Sequence, residues 1–191
     1  MRTATNLLTR AVLALSLCLT GASLAHAADS AATPPASAPA PAKAKNWTAP
    51  AGKLYVQTLT EQIMAAHPEL ISVTFHGVPP GAAPGTYTMF GGSYLERIGN
   101  ADDPDDVMVT ETGITILDPR WHRTKDPVKK FVVMTPLRDA AGENLGLLVL
   151  AYKNPPNSGK TDKDFFLAGT KLRDDLQKQI PTYDSLFRPA K

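Results

Sequence analysis

Residues 131–152 constrain the fold more than any other stretch of the chain. Two apolar runs, 131–137 and 145–152, flank the polar sequence Arg138-Asp139-Ala140-Ala141-Gly142-Glu143-Asn144. That pattern predicts a hairpin, with the loop carrying the turn-forming Asp, Gly and Asn. The second run is apolar at nearly every position, so both its faces need cover and it is expected in the middle of a sheet. Upstream, Ile71, Val73 and Phe75 alternate with Ser72, Thr74 and His76, the period of a strand with one apolar and one polar face. After a Pro/Gly turn over 78–85, residues 87–90 predict another strand, and Gly91-Gly92 marks a bulge or a close backbone approach. Residues 113–117 give a further strand, closed by Asp118-Pro119, and 93–112 read as irregular with room for one short helix.

Helices are expected at both ends of this strand-rich centre. Over 54–66, Val56, Leu59 and Ile63 recur on one face and Pro68 enforces a stop. Thr161-Asp162-Lys163-Asp164 is a capping box with Asp in place of Glu. It opens a helix that aligns Phe165, Gly169, Leu172, Leu176 and Ile180 and ends at Pro181. Alternating strand–helix–strand units are absent. The order predicts an α+β domain, a central antiparallel sheet of about five strands with N- and C-terminal helices packed on it.

The N-terminus reads as an export address. Arg2 and Arg10 frame the start of the chain, an apolar run follows over 11–24, and Ala25-His26-Ala27 places small residues where a signal peptidase reads. Residues 1–27 are therefore expected to be a cleaved signal peptide. The run is shorter than the roughly 20 residues that span a bilayer as a helix. Leu17 before Cys18 is not the small residue that lipidation requires. Residues 28–46, almost all Ala, Pro, Ser and Lys, are expected to be a disordered linker. That leaves 47–191 as the folded domain, periplasmic or secreted and not membrane-spanning after cleavage. Cleavage removes Cys18, the only cysteine, so the mature domain has no disulfide, thiolate nucleophile or cysteine metal site. It also removes Arg2 and Arg10, which account for the formal net charge of +2. A neutral domain has no electrostatic footprint for nucleic acid, and none is expected as a partner.

The segment from Phe131 through Pro136-Leu137, Asp139 and Gly142 to Leu150 resembles the terminal hairpin of PAS-like and Cache extracytoplasmic sensor domains. The helix leading into the first strand fits that family. Asp118-Pro119-Arg120-Trp121 is similar to its pocket-forming segment, and the likeness runs loosely over 53–152. It implies a PAS/Cache-like fold and a small-molecule sensor. Members usually sit between two membrane helices and signal to a cytoplasmic domain. No apolar run of spanning length follows residue 27, so the resemblance implies a free-standing module that holds a ligand or engages a separate partner.

The candidate ligand-binding group is Tyr87, Tyr94, Arg97, Arg120, Trp121 and His122. Aromatic walls with guanidinium groups suit a small carboxylate or other polar anion; alternatively the aromatics fill the core and the arginines cover its rim. His67, before Pro68, suits a helix end, whereas His76 could reach a pocket from the polar face of its strand. These spacings do not announce a metal site, and no Cys-x-x-Cys-His is present for haem. Asp102-Asp103-Pro104-Asp105-Asp106 lacks the glycine turn and terminal glutamate of a calcium loop and reads as a solvated loop or helix N-terminus. Gly91-Gly92-Ser93-Tyr94-Leu95 fails the Gly-x-Ser-x-Gly elbow at its last position. No catalytic residue, metal or cofactor is expected. Two functions follow: a soluble sensor-like module binding a small molecule without catalysis, or an accessory module docking on a membrane receptor or enzyme in the periplasm. The second would dock through a sheet edge or the C-terminal helix, whose apolar face should then stay partly exposed.

Overall fold

A computed structural model describes residues 43–119 and 129–190. Helix α1 (Tyr55–Ala66) leads into strand β1 (Leu70–Gly77) and then β2 (Thr88–Gly92). A 3₁₀ turn (Leu95–Arg97) and helix α2 (Pro104–Thr112) follow, then β3 (Ile116–Asp118), β4 (Lys130–Arg138), β5 (Asn144–Lys153), helix α3 (Asp162–Gln177) and a last 3₁₀ turn (Tyr183–Phe187). The five strands form one sheet in the order β2-β1-β5-β4-β3, with every pairing antiparallel. This is the expected α+β architecture, consistent with a PAS/Cache-like fold, and β5 lies at its centre as its unbroken apolarity requires.

Both faces of the sheet are covered. On one, α1 and α3 pack on Val73, Phe75, Phe131, Val133, Leu148, Leu150 and Tyr152. The Phe165 ring of α3 stacks on Phe131 at 4.3 Å between centroids. On the other, α2 lies over β4, β5 and β1, and Val109 anchors it among Val132, Met134, Leu147 and Ala151.

Gly91-Gly92 fulfils its expectation. The register slips between Phe75 and His76, which pair with Gly91 and Met89, so Phe90 bulges. A Cβ at Gly91 would lie 2.6 Å from Val56 Cγ2 of α1, and Gly92 sits at φ +143° with Val73 O only 2.7 Å from where its Cβ would be. The bare glycines let α1 and β1 close on this corner.

Four expectations shift. The stretch 93–112 is more ordered than its composition suggests: Asp103 caps α2, Pro104 occupies its first turn, and Asp106 reaches back to accept the Asp103 N–H at 3.1 Å. Gly113 ends α2 in the left-handed conformation (φ +68°), which delays β3 from the expected 113 to Ile116. α3 stops at Gln177, although Ile180 is still fully buried beyond it. Within the stretch expected as linker, residues 43–46 meet the domain. Lys45 bridges Asn100, and the Asn46 N–H donates to Gly99 O at 2.9 Å.

The Thr161 side chain accepts the Asp164 N–H, and Asp164 accepts the Thr161 N–H at 2.7 Å. Thr161→Ala is expected to lower stability by about 1 kcal/mol, read as the shift in a urea midpoint. Gly91→Ala, forced against the buried Val56, should cost more, about 1–3 kcal/mol.

Candidate functional site

The alternation in β1 that places Val73 and Phe75 on the α1/α3 face puts Thr74 and His76 on the other. The sequence suggests a polar face there, but in the fold that face is not open to water: Ser72, Thr74 and His76 are all buried. Burial obliges their polar atoms to find partners, and His76 finds them on both ring nitrogens. Nε2 lies 2.8 Å from Thr74 Oγ1, and Nδ1 lies 2.7 Å from Asp102 Oδ1. Asp106, from the first turn of α2, brings Oδ2 to 3.9 Å from the same Nδ1.

The Asp102 side chain is 0% exposed. Its second oxygen, Oδ2, is buried without a hydrogen-bond partner among the described residues. Asp102 and Asp106 therefore belong to an interior cluster, and the expectation of solvated acids holds only for their neighbours. Asp103 meets Lys43 Nζ at 2.6 Å in a half-exposed pair. The helix-N-terminus part of the expectation is met, since Asp103 caps α2 and Asp106 lies in its first turn.

Burial is the largest influence on the His76 ring and favours its neutral form. The hydrogen bond and attraction from Asp102, joined by Asp106, outweigh burial and a small opposing contribution from Lys43, so the pKa lies above the ordinary imidazole value. Burial, joined by the charges of Asp102 and Asp105, pushes the Asp106 carboxyl up against the pull of His76 and the Asp103 N–H.

Hydroxyl, imidazole and carboxylate in this order have the connectivity of an acyl-transfer triad. The surroundings do not complete one. Thr74 is buried in a strand paired on both sides, with Gly92 on β2 and Val149 on β5.

The candidates named from sequence separate. Tyr94 and Arg97 come together, the guanidinium lying 4.3 Å from the ring centroid, and Arg97 also approaches exposed Glu96 at 3.7 Å. Tyr87 turns instead to α2, donating its hydroxyl to Glu111 Oε1 at 2.7 Å. Arg120, Trp121 and His122 lie outside the described residues. The described members thus give one surface cation–π pair and one tyrosine–glutamate bond. His76, Asp102 and Asp106 are separated by up to 30 positions, with no motif spacing. The legible signal was the coincidence of a histidine on a strand's polar face with a dense acidic run. A further depression, an open groove between α1 and α3 floored by Leu59, Ile63, Leu172 and Leu176, lies on the opposite face of the sheet.

No family model and no curated protein matches the chain. Among solved structures it is similar to a type II free methionine-R-sulfoxide reductase from Thermoplasma acidophilum. The TM-score is 0.44 and the identity 11%, over 70% of this chain and 93% of that one. It is also similar to the sensor domain of Escherichia coli DcuS, with a TM-score of 0.36 and 13% identity over 63% and 72% of the two chains. Likeness at this level carries no argument about activity.

His76→Ala would leave two buried carboxylates facing each other without the imidazole. It is expected to cost about 3 kcal/mol or more, measured as a lower denaturation midpoint at unchanged m-value.

Proposed function

We propose that this chain is an exported, sensor-like module that binds a small ligand without catalysis. The observation that carries the reading is Asp102 Oδ2, a carboxylate oxygen shut inside the protein without a partner among the described residues. An unpaired buried polar atom costs about 1–3 kcal/mol, more when charged, and a ligand held between β1 and the N-terminus of α2 would satisfy it. The PAS/Cache-like architecture supports the reading, because α2 covers a polar strip of β1 that packing alone would fill with apolar residues. Export to the periplasm or the exterior rests on residues 1–27. A binding role also fits the relay, in which the hydroxyl that meets the histidine, that of Thr74, is buried.

The docking alternative has less support. The apolar stripe of α3, with Phe165, Gly169, Leu172 and Leu176, is buried on the sheet. Only Phe166 and Leu167, at 38% and 52% exposed, leave that helix's first turns uncovered. The outer edge of β2 is occupied by residues 99–101, and the other edge strand, β3, has three residues.

The test is a thermal-shift screen of the purified protein against carboxylates, amino acids, amines and divalent cations. One class is expected to raise the midpoint of the parent protein and to lose that effect in Asp102→Asn. A flat response across all classes overturns the binding reading.

A further inference from the structure

We propose that His76, Asp102 and Asp106 hold a divalent first-row transition-metal ion, of which Zn²⁺ is the probe. The proposal rests on the binding reading above and names the ligand class of that same site. His76, Asp102 and Asp106 each offer one ligand atom, and these atoms all lie within 4.8 Å of one another. Ligand atoms about 2.0–2.1 Å from a tetrahedral ion sit about 3.3 Å apart. The Nδ1 contacts to Asp102 at 2.7 Å and Asp106 at 3.9 Å bracket that value, so small side-chain rotations would open the site.

The fully buried Asp102 Oδ2, without a partner among the described residues, is an independent indication. It leaves the carboxylate free to shift or to bind through both oxygens. Imidazole nitrogen with two carboxylate oxygens suits borderline cations rather than Ca²⁺ or Mg²⁺, which prefer oxygen alone. Three protein ligands leave a fourth position for water.

The outer partners also fit. A histidine that binds a metal through Nδ1 donates its Nε2–H elsewhere, and Thr74 Oγ1 lies 2.8 Å from Nε2 to receive it. Asp106 is fixed by the Asp103 N–H at the start of α2. Binding would move the Nδ1 proton of His76 to solvent, give that lone pair to the ion, and set the charge of two carboxylates against the +2 of the metal. The outer acids Asp103 and Asp105 are not part of the site.

The full-length protein, stripped with a chelator and dialysed, is titrated with Zn²⁺ by calorimetry, with Mg²⁺ as control. Co²⁺ replaces Zn²⁺ for visible spectroscopy. The expected result is one ion per chain, little response to Mg²⁺, and a d–d band of a low-coordinate nitrogen/oxygen site. Asp102→Asn and Asp106→Asn should each weaken binding at least tenfold, and Thr74→Val about 10–100-fold. His67→Gln, at the half-exposed His67–Glu69 pair, should bind as the parent does. Two isosteric aspartate variants keep the test decisive if one fails to fold, as checked by near-UV circular dichroism. Absence of stoichiometric Zn²⁺ binding, or binding that survives both aspartate variants or is lost in His67→Gln, overturns the proposal. If Zn²⁺ fails while an organic ligand raises the midpoint through Asp102, the metal falls and the binding reading stands. If every probe fails, both fall.

Discussion

β5 has to be covered on both faces, and the rest of the architecture answers that demand. Its run from Leu145 to Tyr152 sends Leu148, Leu150 and Tyr152 to one side and Leu147 and Ala151 to the other. A single helical layer would leave one of these sets in water. The two long helices close one face, and α2, only nine residues long, closes the other by setting Val109 on it. Because α2 is short, it reaches only part of the sheet, and the strand it meets at its N-terminus is β1. The histidine cluster is therefore a consequence of how the central strand is covered: the helix needed for apolar cover brings its acidic first turn onto the polar residues of β1.

The export signal expected at residues 1–27 would remove the only cysteine, so no disulfide could share the task of holding the domain together. Stability must come from burial and from satisfied polar groups. Among the described residues the interior meets that standard nearly throughout; the exceptions are Asp102 Oδ2 and Thr110 Oγ1. Thr110 is a neutral hydroxyl, whose desolvation is modest. Asp102 is a carboxylate, for which burial is far more costly, and its single bond to His76 answers one oxygen of two.

Much of the fold was legible because its signals are local. The hairpin shows in two apolar runs around a polar loop, α3 in its Thr161 cap, and the corner at β2 in Gly91-Gly92. α2 was only partly legible, since Asp103-Pro104 marks a helix start but nine residues give too little periodicity to fix the element. The site was less legible still. Thr74 and His76 were visible as the polar face of a strand, yet a strand with one polar face ordinarily turns it to water. Only the tertiary fact that α2 covers that face converts it into an interior. Tyr87 and Arg97 look alike in sequence, and the structure sets one against Glu111 of α2 and the other against Tyr94.

Asp102 is also where the start of the domain meets its interior. Residues 99–101 run along the outer edge of β2: the Met89 N–H donates to Asn100 O, the Gly99 N–H donates to Met89 O, and Thr88 bridges Ala101. Residues 43–46 lie against the same segment through Lys45 and Asn46, with Lys43 pairing to Asp103. The backbone on both sides of Asp102 is thus clamped, by β2 and the entering chain before it and by the cap of α2 after it. Such restraint limits where the backbone can carry the carboxylate relative to His76. It also ties the position of Asp102 to the segment by which the chain enters the domain. One short connection thus serves as β2's edge cover, the support for the entering chain and the carrier of Asp102.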